Sequence, residues 1–451
     1  MEDQGRTPGS FLLSVNIVFF SQVAIYGLAF LFRVLLARSL GDEGLGVYSL
    51  FYLSVLIASG AGNLGIGLGS IYFLSKGDYS LRQLFSSSVF AIGVVAALTS
   101  IVVALYALAF GDQAFVSGRA YWLYAPTIPV MVTYVLLTAL LHGSSRFAAL
   151  ASVGVVQGLA ALAIAGGLYL ADDLDVFGAI LAWTGSFTLA GVVALVLVGV
   201  GNIDWRDALR PRWDILRRQV GYGAQGQVSN IAQLLNFRFD QYLVAAFVAR
   251  ASVGHYAVAV GVGETVWWVS TAVAIVMLPR LTGLEKEQAD ELTPVVSRNT
   301  LLVSALAGAA IVAVSPLAIP LVFGDEFKPA VTPLILLMPG LVAISGSRVL
   351  ASYLFSRGKV MYNTYTTLLT LVVMLALDLA LIPTLEVKGA AIASSLAYVL
   401  AMVSTIWFYR RLVPTGLKEL LLPQPADIEH YRGLLRRIVS GRGSRPQEST
   451  R

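Results

Sequence analysis

Long apolar runs separated by short polar breaks fill the chain from residue 11 to residue 409. Cutting at the charged and turn-rich breaks leaves twelve segments, at 11–37, 45–74, 83–110, 120–141, 147–170, 177–200, 219–248, 253–279, 299–323, 331–356, 361–384 and 388–409. Each reaches the ~20 residues that a helix rising ~1.5 Å per residue needs to cross a ~30 Å hydrocarbon layer. The pattern predicts an all-α polytopic membrane protein with about 12 transmembrane helices. The second and seventh segments are long enough to tilt or to extend past the bilayer. The first, from Phe11 to Leu36, is too long for a signal-peptide core and carries no clear small-residue cleavage site, so it is read as a span.

The seventh segment departs from the rest. Gln225, Ser229, Gln233, Asn236 and Asp240 follow steps of three and four, which on a helix makes one polar stripe, and Arg238 falls on roughly the opposite side. Unpaired polar groups in hydrocarbon are costly, so a rod polar on two faces is expected to be buried in protein or to line a wet cavity.

Composition agrees with a membrane protein. Of 451 residues 57% are hydrophobic and only 13% charged, against roughly 25% charged in soluble domains. Mean hydropathy is +0.77. A net charge of +5 would suggest nucleic acid in a soluble protein, but here it matters only where the basic residues lie relative to the spans, and no nucleic-acid partner is expected. With the N-terminus placed inside, twenty-three of the 31 Lys and Arg fall on the inner side, five on the outer side, and three (Arg33, Arg238 and Arg348) within spans. The positive-inside rule then puts both termini in the cytoplasm and the protein in the cytoplasmic membrane. There is no cysteine, hence no disulfide and no thiolate metal site.

A repeat is visible at an offset of about 211 residues. Ala37-Arg38 followed by Gly46-Val47-Tyr48 matches Ala249-Arg250 followed by Gly254-His255-Tyr256, and Asp175-Val176-Phe177-Gly178-Ala179 matches Glu386-Val387-Lys388-Gly389-Ala390. Six spans per half, an even number, give the two halves the same orientation about an axis along the membrane normal, as in two-lobed transporters. The expected organisation is an N-lobe at 1–200, a cytoplasmic linker at 201–218, a C-lobe at 219–412 and a basic cytoplasmic tail at 413–451. Trp205, Leu209 and Trp213 place the linker at the inner headgroup layer. In the tail Ile428, Tyr431, Leu434, Leu435 and Ile438 share a helical face beside Arg432, Arg436 and Arg437, with Asp427 as the expected N-cap and membrane lipids as the expected contact.

The candidate chemistry lies on polar faces at membrane depth. Gln22, Tyr26 and Arg33 share a face of the first span; Gly261, Glu264, Trp268 and Thr271 share one on the eighth; Arg348 sits with Ser345 and Ser352 on the tenth. Arg33, Arg238, Arg348, Gln22, Tyr26, Gln225, Gln233, Asn236 and Trp268 are the candidate lining of a cavity between two lobes. Asp240 and Glu264 are expected to pair with an arginine or a backbone group and are the candidates for coupling to Na⁺ or H⁺, whereas Asp378 reads as structural. Gly60, Gly62, Gly65, Gly67 and Gly69, with Pro126, Pro129 and Pro339-Gly340, permit close packing and kinks. His142, His255 and His430 show no metal-ligand spacing, no Walker-type phosphate loop is present, and no connection holds a nucleotide-binding domain, so neither an enzyme nor a bound cofactor is expected.

The residues Ala37-Arg38-Ser39-Leu40-Gly41-Asp42-Glu43-Gly44-Leu45-Gly46-Val47-Tyr48 resemble the signature after the first span of the polysaccharide exporters in the multidrug/oligosaccharidyl-lipid/polysaccharide superfamily. Three later stretches resemble that family too: Phe239-Asp240-Gln241 leading to Gly254-His255-Tyr256; Val322-Phe323-Gly324-Asp325-Glu326-Phe327 followed by Pro339-Gly340; and Leu381-Ile382-Pro383 leading to Gly389-Ala390-Ala391-Ile392-Ala393. The family has Asn more commonly where Asp378 stands. The resemblance implies a V-shaped pair of six-helix bundles that flips a polyprenyl-(pyro)phosphate-linked oligosaccharide to the outer leaflet by alternating access, with polysaccharide assembly proteins as further partners. Competing readings are an ion-coupled drug or metabolite exporter on the same fold, a flippase for the peptidoglycan lipid precursor, and a membrane polysaccharide polymerase or ligase; the short outer connections disfavour the last.

Overall fold

The computed structural model describes residues 8–110, 116, 118–199, 212–425 and 427. Among them every regular element is a helix: α1 (Pro8–Gly62), α2 (Ile66–Lys76), α3 (Leu81–Phe110), a 3-10 turn (Gly118–Leu123), α4 (Tyr124–Gly143), α5 (Phe147–Leu170), α6 (Val176–Val198), α7 (Trp213–Phe247), α8 (Arg250–Gly263), a 3-10 turn (Glu264–Val266), α9 (Trp267–Gly283), α10 (Lys286–Phe323), a 3-10 turn (Asp325–Ala330), α11 (Val331–Ser356), α12 (Val360–Arg410) and the short α13 (Leu417–Leu421).

Nine helical stretches among the described residues are long and apolar enough to cross a membrane. Two of them hold two spans each. α1 breaks at Gly41 (φ 69) and folds back so that Phe32 meets Tyr48 edge-on at 6.3 Å. α12 breaks at Glu386 (φ 52) and returns Gly389 onto the Leu381 carbonyl. α7 completes the twelve; its polar residues keep it out of the apolar set. The protein is therefore a multi-pass, all-α membrane protein with the predicted number of spans.

The glycine-rich second span does kink. α1 ends at Gly62 and α2 starts at Ile66, with Leu64 (φ 48) and Gly65 (φ 78) left-handed between them. The Asn63 side chain accepts from the Gly67 N–H at 3.0 Å, which satisfies a donor exposed by the break. The cause is backbone proximity to α7: a Cβ on Gly65 would lie 2.3 Å from the Gly223 carbonyl carbon, and one on Gly69 would lie 2.5 Å from the Gln219 oxygen. The eighth span also breaks, at Glu264–Val266, and this corrects the sequence reading of Gly261, Glu264, Trp268 and Thr271 as one continuous face. Tightening to 3-10 geometry changes the turn angle per residue, so a face reckoned at 3.6 residues per turn does not continue through it.

Matching local geometry supports the repeat. Ser144, Ser145 and Arg146 donate backbone N–H bonds to Leu140, His142 and Leu141, while Arg357, Gly358 and Lys359 donate to Tyr353, Phe355 and Leu354. The two turns lie 213 residues apart, and each places its central residue, Ser145 (φ 56) or Gly358 (φ 71), in the left-handed region.

The chain forms two compact units, one from Met1–Val262, Val314–Leu336 and Leu371–Ser394, the other from Gly263–Ala313, Leu337–Thr370 and Ser395–Arg451. In the first, Leu84, Phe85, Leu137, Leu140, Leu141, Ala190, Ala194 and Ile215 make a fully or nearly fully buried core. In the second, Leu281, Leu350, Tyr353, Tyr409, Val413 and Leu420 do the same.

Residues 201–211 of the linker and the predicted tail helix from Ile428 onward lie outside the described residues. Asp427 is within them, and its side chain is committed elsewhere than to the predicted cap. It receives Arg298 Nε at 2.5 Å and Nη2 at 2.8 Å, with both side chains over nine-tenths buried. The bidentate guanidinium offers the carboxylate more than a single backbone N–H would. The hydrogen bond from Arg298 holds the Asp427 carboxyl below the usual carboxylate range against the opposing effect of burial, and the Gln424 N–H adds to it. Because the folded value is depressed, the pair stabilises fully above the unfolded value of ~3.9 and is lost as pH falls through the folded value. Asp427→Asn is expected to release Leu417–Leu421 at neutral pH at a cost of about 3 kcal/mol. Hydrogen-exchange protection of that segment, after correction for the intrinsic pH dependence of exchange, is expected to stay high in the wild type between about pH 5 and 8 and to be lost in the variant.

Candidate functional site

Three of the sequence motifs meet at one end of the first unit. Gly46 packs so closely that a Cβ would sit 2.2 Å from the Arg250 oxygen, and Gly254 would place one 2.0 Å from the Asp42 oxygen. Each glycine thus faces the carbonyl four residues before the other. His255 Nε2 lies 3.0 Å from Asp42 Oδ2. Arg38 donates to the Leu321 and Val322 carbonyls, the last turn of α10, where unpaired carbonyls favour a cation. Phe327 is fully buried beside the His255 ring. The motif residues close one end of the bundle.

Behind that closure lies a cavity of about 200 Å³ in the first unit, with Arg33, Tyr48, Tyr52, Gln157, Trp183 and Phe187 in its wall. Arg33 is positioned by α8: its Nη1 is 3.5 Å from the Ala257 oxygen, and Gly261 leaves the room, since a Cβ there would lie 1.6 Å from Nη1. Tyr52 meets the Trp183 ring edge-on at 5.3 Å, and Trp183 meets Phe187 at 5.0 Å. Gln157 donates to Ser186 at 3.0 Å, and Ser186 donates to the Trp183 carbonyl. On its other side Phe187 borders an apolar groove of about 380 Å³ with Phe85, Val89 and Leu137.

Asp240 is fully buried. Its Oδ1 accepts the Gln241 N–H at 2.8 Å, and its Oδ2 accepts hydroxyls from Tyr256 at 2.5 Å and Ser394 at 3.0 Å. Asp378, also fully buried, lies within electrostatic range of Asp240, and neither of its oxygens has a hydrogen-bond partner among the described residues. A structural carboxylate buried this deeply is normally paired, so the unsatisfied oxygens do not fit the reading of Asp378 as merely structural. In the second unit Arg348 donates to Thr271 at 2.7 Å and stacks over Trp267 at 4.6 Å. Ser345 and Ser352 turn back to carbonyls of their own helix instead.

The other candidates are dispersed. Arg238 donates to the Phe237 carbonyl, among other interactions. Gln22 and Tyr26 are half-buried on α1, Asn236 is buried, Gln233 and Trp268 are exposed, and Glu264 begins the 3-10 turn. The side chain of Gln225 lies outside the described residues. The α7 amides that grip the N-terminal helices are Gln219, bonded to Ser70 of α2 and Ser87 of α3, and Gln227, bonded to the Gly60 carbonyl of α1. Sequence reasoning missed these because it followed the stripe ending at Asp240; Gln219, Gly223 and Gln227, at steps of four, mark the packed face. It also missed Tyr52, Gln157 and Trp183. A lone amide inside the apolar α5 was the available signal for Gln157.

The family described as "Polysaccharide biosynthesis protein" matches residues 12–285. A protein of Haloferax volcanii described as "Probable low-salt glycan biosynthesis flippase Agl15" is 23% identical over 387 residues, 84% of this chain and 79% of that one. Among solved structures, an inward-facing multidrug resistance MATE family transporter of the MOP superfamily superposes with a TM-score of 0.71 at 16% identity, covering 86% of this chain and 94% of that one. The lipid II flippase MurJ in an inward closed conformation gives 0.70 at 11% identity, covering 96% and 94%. The two structures establish the fold, and the match over more than half the sequence establishes the family: this chain belongs to the polysaccharide biosynthesis protein family.

Proposed function

We propose that the chain is a flippase that moves a polyprenyl-(pyro)phosphate-linked oligosaccharide across the cytoplasmic membrane, outward, for cell-surface glycan synthesis. The observation that carries this reading is a guanidinium, Arg33, set in the wall of a polar and aromatic cavity inside a membrane bundle. Such a substrate has an anionic head, many hydroxyls and a long apolar tail. The head needs cationic and hydrogen-bonding groups at membrane depth, while the tail stays in lipid. The family and the glycan flippase relative support the same substrate class.

Two negative charges moving outward down an inside-negative potential gain about 4 to 5 kcal/mol at ~100 mV, at ~2.3 kcal/mol per charge. The Asp240 and Asp378 carboxyls supply a second drive. Two ionised carboxylates excluded from water are costly unless a cation or a proton joins them, and the Tyr256 and Ser394 hydroxyls complete an oxygen-rich setting for one. This setting supports cation coupling at Asp240 and Asp378 rather than at Glu264.

The test is translocation of a prenyl-pyrophosphate oligosaccharide in proteoliposomes under imposed potential, Na⁺ and pH gradients. Arg33→Ala is expected to slow it about 10- to 100-fold, the equivalent of one charge-assisted hydrogen bond at ~1.5 to 3 kcal/mol. Gly261→Ala is expected to slow it too while keeping the fold, because the clashing atoms belong to the flexible end of Arg33. Undiminished transport by Arg33→Ala would remove the anion-binding role, and indifference to potential and to both ion gradients would remove the coupling.

A further inference from the structure

The cavity at Arg33 is neither a packing void nor a general polar basin. An apolar void stays dry, whereas this one has a guanidinium, Gln157, Ser49 and two tyrosines in its wall. At about 200 Å³ it is on the scale of one sugar ring. Its aromatic wall is continuous: Tyr48 stacks on Tyr52 at 6.5 Å, Tyr52 abuts Trp183, and Trp183 abuts Phe187. The Gln157 amide is held in place by Ser186, which is itself anchored to the Trp183 carbonyl, so the polar and aromatic groups are fixed to one another.

Chemistry narrows the ligand. An aromatic cage by itself would suit an organic cation. Here the Arg33 charge in the same wall repels cations, and among the described residues no Asp or Glu lines the cavity. A purely apolar ligand would leave Arg33 and Gln157 unsatisfied on desolvation. A pyranose ring meets both demands, because its C–H face lies against aromatic rings while its rim of hydroxyls exchanges hydrogen bonds with amide, hydroxyl and guanidinium groups.

We propose that this cavity is a binding subsite for a single pyranose ring of the transported glycan, seated against Tyr52 and Trp183 and hydrogen-bonded by Gln157, with the Arg33 guanidinium meeting the phosphate to which that sugar is joined. The proposal rests on the flippase reading and adds to it a place where one sugar is read. Small residues make the space: Gly158 of α5 packs where a Cβ would come within 2.9 Å of Leu28 on α1.

The test uses the full chain in proteoliposomes with two kinds of probe, a fluorescent prenyl pyrophosphate and the same lipid bearing one glucose, galactose or N-acetylglucosamine residue. The readout is the ratio of the translocation rate of each sugar-bearing probe to that of the bare lipid. The wild type is expected to favour at least one sugar-bearing probe about tenfold, the equivalent of one stacking or hydrogen-bonding contact. Trp183→Leu and Gln157→Ala are expected to bring that ratio close to one. Gln157, only half-buried, carries the test alone if Trp183→Leu does not fold. A wild-type ratio near one for every sugar, or variants that keep the wild-type ratio, would overturn the subsite while leaving the flippase reading standing. A wild type that moves no probe at all would defeat the flippase reading and the subsite with it.

Discussion

Gly223→Val is expected to destabilise the protein by about 3 kcal/mol, at the upper end of overpacking costs, because what it meets is backbone on both sides. A Cβ at this position would lie 1.9 Å from the Gly65 oxygen and 2.6 Å from the Gly65 carbonyl carbon. Neither helix can yield by rotating a side chain. The second span is already kinked at Gly65, and α7 is held to it on both sides of that kink, by Gln219 on Ser70 of α2 and by Gln227 on the Gly60 carbonyl of α1. Gly221, one half-turn away on α7, has nothing within 4 Å of its would-be Cβ, so Gly221→Val serves as the matched control and is expected to change stability by less than ~0.5 kcal/mol. Thermal midpoints of both variants in detergent give the comparison. Equal midpoints would mean that the close approach of α2 and α7 does not exist in the folded protein.

The second large effect is expected at Asp378. If its unsatisfied carboxyl and Asp240 share a cation, that cation binds the folded state and not the unfolded chain, and it raises stability by mass action. At a concentration one hundred times its dissociation constant the gain is ~2.7 kcal/mol. Wild-type protein is therefore expected to melt higher on addition of Na⁺, or on acidification if the occupant is a proton, and Asp378→Asn and Asp240→Asn are each expected to lose that increment. The same variants are expected to lose the ion-driven part of transport while the potential-driven part persists. Melting of the wild type that responds to neither ion, or Asn variants that respond as the wild type does, would sink the idea.

The spans were legible because membrane insertion imposes one long apolar run per crossing, and that signal survives even where α1 and α12 continue through a turn. α7 was recognised as unusual for the right reason, its polar content, but its faces were misassigned. The stripe ending at Asp240 was conspicuous, whereas the packed face is marked by Gly223 between two glutamines, and a glycine gives no polarity signal. The Arg33 cavity was half legible. A lone charge in a span draws attention, but its wall comes from four further helical segments, and nothing in the spacing of Tyr52, Gln157 and Trp183 along the chain announces that they converge. Asp378 illustrates the opposite limit, since a buried carboxylate flanked by leucines looks the same in sequence whether its oxygens are paired or not. The break at Glu264–Val266 was missed because Gly261, Glu264, Trp268 and Thr271 were spaced at 3.6 residues per turn, and a single 3-10 turn leaves no mark in that spacing.

The reciprocal placement of Gly46 on the Arg250 carbonyl and Gly254 on the Asp42 carbonyl bears on how such a chain arises. Equivalent positions of the two halves touch one another, each playing both roles in the contact. That is the signature of an isologous interface, the kind two identical subunits make around a twofold axis. A six-helix ancestor pairing with its own copy would already possess this closure before any fusion of the two genes. Covalent linkage would then free the copies to diverge, while Gly46 and Gly254 each remain a position where a side chain would meet backbone beside the other.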